Sequence, residues 1–326
     1  MNYKSENIIQ DIMNREDDLI DLTQALIRIP TLNPPGNNYL EICEFLKKRM
    51  ENNGFQSQLI RAYDTPGDSD KFPRWNLVCK REGGIQGKTV HFNGHTDVVE
   101  TGKGWSMNPF EAKYIDGLIY GRGACDMKGG IASSIIAVES FISLYPKYPG
   151  RIEFSFTADE ETGGYGGVAF LAKEGYFSPK KVNSVIIPEP LNKNRICLGH
   201  RGVWWAEIET FGRIAHGSMP FLGDSAIRHM GAVLNEFEEK LYPKLELIKT
   251  KMPVVPEGAK TSTMNINSIH GGEAEHPSEF NGYPAPVVAD SCKIIIDRRF
   301  LIEESIQTVK KDIDDLLDDL QNSREN

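Results

Sequence analysis

The sequence has few of the features that mark disulfide-bonded, membrane-bound or nucleic-acid-binding proteins. Its five cysteines are widely separated and form no C-x-x-C pair, which argues against a disulfide framework and against a zinc ribbon. No apolar run approaches the roughly 18 residues of a membrane span, and the first residues contain no apolar signal region. The formal net charge of −9 argues against a nucleic-acid partner. We therefore expect a cytoplasmic protein with neither nucleic acid nor a membrane as partner.

The sequence also lacks three motifs that are typical of serine hydrolases and nucleotide-binding proteins. No G-x-S-x-G occurs, so the nucleophile turn of an α/β-hydrolase is excluded. The stretch 87–89, GKT, has Glu82 where a phosphate-binding loop needs its first glycine, and a predicted strand follows. The stretch 121–126, GRGACD, ends in aspartate where a dinucleotide fingerprint needs glycine or alanine.

Apolar periodicity predicts a first domain over residues 1–201 in which helices and strands alternate. Helices are expected from Ser5 to Ile29, around residues 40–50, from Met127 to Leu144 and over about 166–173, and the third of these is apolar and buried. Strands are expected at 75–80, 88–93, 151–158 and 184–187. This alternation favours an α/β fold with a largely parallel sheet and helices on both faces, which is a three-layer αβα architecture.

A different pattern over residues 202–326 predicts a second, smaller domain. Strands are expected at 203–212, 261–269 and 289–300, and helices at 224–241 and 303–320. The order βαββα is one strand short of a ferredoxin-like α+β unit. We therefore expect this domain to be incomplete in the 326 residues.

A histidine and several carboxylates follow the predicted strands of the first domain. The strand that begins at Lys88 ends in His95 and Asp97, whose side chains point to the same side of an extended backbone. A metal-bound histidine usually donates its other ring N–H to a carboxylate or carbonyl, a role open to Asp97. Acidic residues also follow three later elements of the same domain, at Asp126, Glu161 and Glu189. Mixed histidine and carboxylate ligands suit zinc, cobalt or manganese, so the sequence predicts a metal site at this edge of the sheet.

Four motifs in this region, GHTDVV, GRGACDMKGG, DEE and PEP, resemble in order and spacing those of a known enzyme family. This is the family of co-catalytic zinc amidohydrolases and peptidases, which includes acetylornithine deacetylase, succinyl-diaminopimelate desuccinylase, aminoacylase and glutamate-releasing carboxypeptidases. The surrounding sequence is most similar to the acetylornithine deacetylase and desuccinylase branch, which belongs to amino-acid biosynthesis. The resemblance implies a zinc-peptidase-like catalytic domain with an inserted lid and dimerisation domain, and therefore a homodimer.

The resemblance also implies a ligand set for two divalent metal ions, most often zinc, with cobalt or manganese as alternatives. His95 and Glu189 would bind one ion and Glu161 the other. Asp126 would bridge both ions.

Further roles implied by the resemblance concern catalysis and substrate binding. Asp97 would orient His95, and Glu160 would be the general base. His216 matches a lid histidine that helps to hold the oxyanion in a partner subunit's site, and Arg299 matches an arginine that binds the substrate carboxylate. Asn265 fits a substrate contact and an ordinary surface position equally well.

The chain departs from the family pattern after the lid. The family has a further metal-binding histidine near its C-terminus, but no histidine follows position 276 here. We therefore expect these residues to be the N-terminal portion of a longer enzyme, with on the order of 100 residues missing. Alone, the chain is expected to be inactive and to bind at most one metal ion well.

The expected reaction is hydrolysis of the amide bond of an N-acyl amino acid or related N-acyl amine. The sequence leaves acetyl, succinyl and formyl groups open. One alternative is a dipeptidase or carboxypeptidase of the same family. Another is a non-catalytic, truncated homologue that acts as a dimerising module, but the retention of Glu160 and Asp126 favours an enzyme.

Overall fold

The computed structural model describes residues 3–191, 194–272 and 286–324. The chain divides into two compact units, Met1–Ile196 and Cys197–Asn326. The domain boundary that we expect from the sequence, between residues 201 and 202, lies slightly after this division. Each unit is described by itself.

The described part of the first unit contains five α-helices and seven strands. The helices are α1 (Ser5–Met13), α2 (Glu16–Ile27), α3 (Tyr39–Asn52), α4 (Gly129–Leu144) and α5 (Phe170–Lys173). The strands are β1 (Gln56–Arg61), β2 (Trp75–Glu82), β3 (Gly84–His95), β4 (Lys113–Ile115), β5 (Leu118–Tyr120), β6 (Tyr148–Thr157) and β7 (Ser184–Ile186).

Five of these strands form one sheet in the order β1-β2-β6-β3-β7. β3 is parallel to both β6 and β7, whereas β2 is antiparallel to both β1 and β6. One strand therefore departs from the largely parallel sheet that the sequence predicts. The reason is local: no helix lies between β1 and β2, and only a parallel connection needs such a crossover. β4 and β5 form a separate two-stranded sheet.

Side chains that alternate along the strands pack on both faces of this sheet. On one face, Leu77 and Phe154 join a core that includes residues of α2, α3 and α4. On the other face, Ile60 and Val78 pack with Leu171 of α5. Helices thus cover both faces, and the three-layer α/β architecture predicted from the sequence is confirmed.

The apolar helix α4 lies in the middle of this packing. The stretch Ala124–Leu144 is the one helical segment, among the residues described, that is long and apolar enough to cross a membrane. Most of its window is buried inside the unit. That burial is typical of a core helix, and it agrees with the buried helix that the sequence predicts.

The single helix expected from Ser5 to Ile29 is wrong, because α1 ends at Met13 and α2 begins at Glu16. At this break the Arg15 side chain turns to pair with the buried carboxylate of Glu139 on α4. Arg49 of α3 binds the same carboxylate at 2.7 Å. The amphipathic pattern continues from α1 into α2, so it does not show the break at residues 14–15. The ion pair between Arg15 and Glu139 joins positions far apart in the sequence, which periodicity cannot detect.

The second unit contains a three-stranded antiparallel sheet in the order β8-β10-β9. Its strands are β8 (Gly202–Phe211), β9 (Thr263–Gly271) and β10 (Ser291–Phe300), and its helices are α6 (Ala226–Glu236), α7 (Tyr242–Leu247) and α8 (Ile306–Ser323). Ile294 and Ile296 of β10 pack in one core with Phe237 and with Ile313 of α8. Apart from the short α7, the described residues follow the predicted order βαββα.

Phe154 provides a test of the core of the first unit, because its ring is 1% exposed and stacks between Phe92 and Phe156. Replacing it with alanine leaves a cavity, so Phe154→Ala should lower the free energy of unfolding by about 3–5 kcal/mol in urea denaturation. The control Phe221→Ala removes a ring that is 78% exposed and should change it by less than about 0.5 kcal/mol. Equal effects of the two substitutions would contradict this packing.

Candidate metal centre

The candidate site is built where β3, β6 and β7 end at the same edge of the sheet. β3 and β6 are parallel, with His95 opposite Thr157 in the ladder, so the two strands end side by side. β7 lies on the other side of β3 and leads, after Ile186, towards Glu189. The carboxyl ends of parallel strands meet at one edge, and the sheet thereby brings the residues that follow these strands together.

Asp126 reaches this edge from the turn that precedes α4 rather than from a strand. The turn contains Gly123, which has a φ of +89°, a conformation that side chains other than glycine rarely adopt. A Cβ atom at this position would also lie 2.8 Å from Cγ1 of Val98. Glycine is therefore required for the chain to pass close to the end of β3 and present Asp126.

The His95 ring is buried and held at both nitrogens. Its Nδ1 lies 3.0 Å from the backbone carbonyl oxygen of Asp97 and 3.5 Å from that residue's carboxylate. Its Nε2 faces carboxylates, at 2.9 Å from Oδ1 of Asp126 and 3.7 Å from Oε1 of Glu189. The shorter contact of Nδ1 is thus with the backbone carbonyl, although the sequence predicts the carboxylate of Asp97 in that role. Either acceptor aims Nε2 at the acidic group.

The Asp97 carboxylate is fully buried, and it binds the turn that follows the neighbouring strand β6. Its Oδ1 accepts the backbone N–H of Glu160 at 3.2 Å, and its Oδ2 accepts that of Glu161 at 3.1 Å. These two glutamates begin the short 3₁₀ turn Glu160–Thr162 directly after β6. Asp97 therefore ties the end of β3 to the turn that carries both glutamates.

Negative charge is concentrated around His95. Burial would lower the pKa of His95, but its hydrogen bonds to Asp126 and Asp97 outweigh this and raise the pKa to about 11. The hydrogen bond from His95 lowers the pKa of Asp126. Burial, together with the charge of Asp126, raises the pKa values of Glu161 and Glu189 to about 7. Such crowding of carboxylates is unfavourable by itself, and a divalent cation would relieve it.

The donor atoms present fit a divalent transition-metal ion. One ligand atom each from His95, Asp126 and Glu189 lies within 4.8 Å of the others. An imidazole nitrogen whose proton a metal ion displaces, together with carboxylate oxygens, is a donor set that suits zinc or a similar ion. Glu161 follows β6 at the same edge of the sheet, but among the residues described it is not part of this three-ligand group. The Glu160 carboxylate, with its side chain 53% exposed, approaches Nε2 of His95 to 3.9 Å.

Sequence reasoning missed a set of buried polar residues behind this site. Asp159 has a φ of +62° and is 2% exposed. Its carboxylate accepts hydrogen bonds from Nε of Arg74 and from the hydroxyl of Tyr39, each at 3.1 Å. Asn33, from a segment that the sequence indicates only as a turn, also donates to it. No local motif joins positions this far apart, although the run of acids at 159–161 marks one end of the network.

The remaining candidates, His216, Arg299 and Asn265, lie in the second unit. The exposed His216 ring contacts the Ser218 hydroxyl at 2.7 Å through Nδ1. Arg299 places its guanidinium fork on both carboxylate oxygens of Asp297, at 2.6 and 2.8 Å. The exposed Asn265 side chain donates to Oδ1 of Asn267 at 2.7 Å. The substrate roles of these three residues stay predictions.

Residues 91–300 match the sequence profile of Peptidase family M20/M25/M40. The chain belongs to this family. The match spans more than half of the chain and includes the strand that ends in His95, the turn at Asp126 and both glutamates of the turn after β6. Membership confirms the resemblance found in the four sequence motifs.

Individual relatives agree with this assignment. A succinyl-diaminopimelate desuccinylase from Polynucleobacter necessarius subsp. necessarius is 28% identical over 309 residues, which cover 92% of this chain and 73% of that protein. The di-peptidase Dug1p from Saccharomyces cerevisiae has a TM-score of 0.74 at 16% identity, over 99% of this chain and 78% of that one. The Bacillus subtilis YXEP protein, a dinuclear metal-binding M20 peptidase, has a TM-score of 0.52 at 14% identity, over 94% of this chain and 70% of that one. At these identities the two structural likenesses show a shared fold.

The M20 family consists of metal-dependent hydrolases that act on amide bonds, and this M20 protein has the candidate residues for that chemistry at one sheet edge. The enzyme class predicted from the sequence is thereby confirmed.

The raised pKa values of Glu161 and Glu189 predict how metal-free protein responds to pH. The folded protein keeps these protons up to about pH 7, whereas the unfolded chain releases them near pH 4.5, so the stability they contribute is lost as the pH rises through about 7. In EDTA, the free energy of unfolding should therefore fall between about pH 5 and pH 8. Urea denaturation should show a smaller fall for Glu189→Gln, and added zinc should remove most of it. Stability that does not change with pH in EDTA would contradict this electrostatic account.

Proposed function

We propose that this M20 protein hydrolyses the amide bond of an N-acyl amino acid or a related N-acyl amine, with Glu160 as general base. The observation that carries the proposal is the position of Glu160. Its half-exposed carboxylate lies 3.9 Å from Nε2 of His95, the nitrogen that also faces Asp126 and Glu189. The proposed proton acceptor thus lies beside the candidate metal-ligand group and is open to solvent.

Two divalent metal ions, with zinc preferred, are part of the proposal. His95, Asp126 and Glu189 would hold one ion, and Asp126 and Glu161 would contribute to the second. Ions held there would supply Lewis-acid chemistry, which polarises an amide carbonyl and lowers the pKa of water. The raised pKa values of Glu161 and Glu189 support this assignment, because neighbouring positive charge would stabilise their ionised forms.

Glu160 would move one proton twice during the reaction. Its carboxylate would accept a proton from the attacking water as the C–O bond to the carbonyl carbon forms. It would then donate that proton to the leaving nitrogen as the C–N bond breaks, which gives a carboxylic acid and an amine. The bond from the Glu160 N–H to Asp97 fixes the backbone, so that the side chain keeps its place beside the ligand group.

His216 and Arg299 are proposed to contact the substrate, and the second unit to form a homodimer. A histidine N–H suits an oxyanion, and an arginine fork suits the carboxylate of an amino-acid product. Arg299 already binds Asp297 with two nitrogens, so a substrate carboxylate would share or replace this partner.

Glu160→Gln tests the proposal because it keeps the shape of the side chain and removes the proton acceptor. We expect kcat to fall by about 100- to 10,000-fold with zinc content unchanged. The matched control is Glu174→Gln, an exposed glutamate of the same unit, which should keep wild-type kcat. The assay uses the chain with whatever residues its gene encodes after Asn326, and compares acetyl, succinyl and formyl amino acids with dipeptides.

Three outcomes of this assay separate the alternatives. Cleavage of N-acyl amino acids with loss in the Glu160 variant supports the proposal. Cleavage of dipeptides alone would replace it with a dipeptidase or carboxypeptidase. Wild-type kcat in the Glu160 variant would refute the general-base role.

A further inference from the structure

We propose that Asn33 is a positioning residue for the metal centre. Its side-chain amide links two buried carboxylates: Asp97, which accepts the backbone N–H groups of Glu160 and Glu161, and Asp159, which immediately precedes these two residues. Through these carboxylates it would set the places of the general base and of one metal ligand. The inference rests on the proposed function and adds a residue to it.

The backbone holds Asn33 firmly against the end of β3. Leu32 and Val98 form an isolated parallel bridge, in which the N–H of Asn33 donates to the carbonyl of Val98 at 2.9 Å. The N–H of Val98 in turn donates to the carbonyl of Thr31 at 3.0 Å. Asn33 is only 1% exposed, so its side-chain amide is buried next to the site.

The amide nitrogen of Asn33 faces three hydrogen-bond acceptors. Its Nδ2 lies 3.0 Å from Oδ2 of Asp97, 2.9 Å from Oγ1 of Thr162 and 3.3 Å from Oδ1 of Asp159. Ionised carboxylates only accept hydrogen bonds, so the reverse orientation of the amide would bring oxygen against oxygen. The Oδ1 atom of Asn33 is buried without a hydrogen-bond partner among the described residues. The amide therefore points both of its N–H groups towards the two acids and Thr162, and its oxygen accepts no hydrogen bond from these residues.

These contacts reach the catalytic turn directly. Asp97 accepts the backbone N–H groups of both Glu160 and Glu161, and Asp159 is the residue immediately before them. Thr162, the third partner, closes the same turn with its backbone N–H on the carbonyl of Asp159 at 3.2 Å. Asn33 thus binds Asp159, which precedes the turn, Thr162, which ends it, and Asp97, which accepts its backbone N–H groups.

The electrostatic need for a donor here is strong. Asp159 has Arg74 as a buried ion-pair partner at 3.1 Å, but the buried carboxylates of Asp97 and Asp159 both lie against the Asn33 amide. The two N–H groups of Asn33, which Asp97, Asp159 and Thr162 share, reduce the repulsion between these carboxylates without adding a charge. If the amide is removed, Asp97 loses a donor, and any shift of its carboxylate would act on the backbone N–H groups of both glutamates that it accepts.

The test compares Asn33→Leu with Asn53→Leu. Asn53 also donates its side-chain amide to a buried carboxylate, Glu139 at 2.8 Å, but it lies at the end of α3. Both variants and the wild type are titrated with cobalt(II) and followed by visible absorption, and kcat and KM are measured on the best amide substrate. Thermal unfolding reports how far each variant is destabilised.

We expect Asn33→Leu to weaken cobalt binding and to lower kcat, each by about 10- to 100-fold, with KM changed less than about threefold. Asn53→Leu should lose stability but keep the cobalt spectrum and kcat. Wild-type cobalt binding and kcat in Asn33→Leu, or equal losses in Asn53→Leu, would overturn the inference. If Asn33→Leu does not fold, Asn33→Ser, which keeps one donor, should show a smaller loss of the same kind, and wild-type values there would overturn it.

The wild-type protein separates this inference from the proposed function. If the wild type binds cobalt and hydrolyses amides, and Asn33→Leu has the same cobalt affinity and kcat, the positioning role alone is refuted. A wild type that neither binds cobalt nor hydrolyses any amide refutes both.

Discussion

One buried carboxylate, that of Asp97, connects the parts of this site that have to stay together. It accepts the backbone N–H groups of Glu160 and Glu161, while the same residue's carbonyl meets the His95 ring. Because it is fully buried, its charge cannot be satisfied by solvent, and its protein donors fix the distance between the ends of β3 and β6. His95, a candidate metal ligand, and both glutamates therefore depend on a single residue, through its backbone carbonyl in one case and its side chain in the other.

The fold provides this arrangement at the cost of crowding like charges. Parallel strands deliver several acids to one edge, and burial raises the pKa values of Glu161 and Glu189. A core that packs on both faces of the sheet holds the edge against this repulsion. The electrostatic strain is concentrated where a divalent cation would relieve it, which is typical of metal-dependent hydrolases.

Much of this could be predicted from the sequence, and the rest could not for identifiable reasons. Strand and helix periodicity predicted the α/β class, and the i, i+2 spacing placed His95 beside Asp97. The antiparallel direction of β2 follows from its short connection to β1, a strand that periodicity did not predict, and the break at Arg15 accompanies a tertiary ion pair, which periodicity does not record. Asn33 lies 64 residues from Asp97 and 126 from Asp159, so only the folded chain shows their contact.

The most direct test of this account is a crystal structure of the zinc-loaded protein, with the ion located by anomalous scattering. We expect a zinc ion bound by Nε2 of His95 and by the carboxylates of Asp126 and Glu189, with Nδ1 of His95 still facing Asp97. Zinc bound elsewhere, or a His95 ring turned away from the two acids in the presence of saturating zinc, would contradict it.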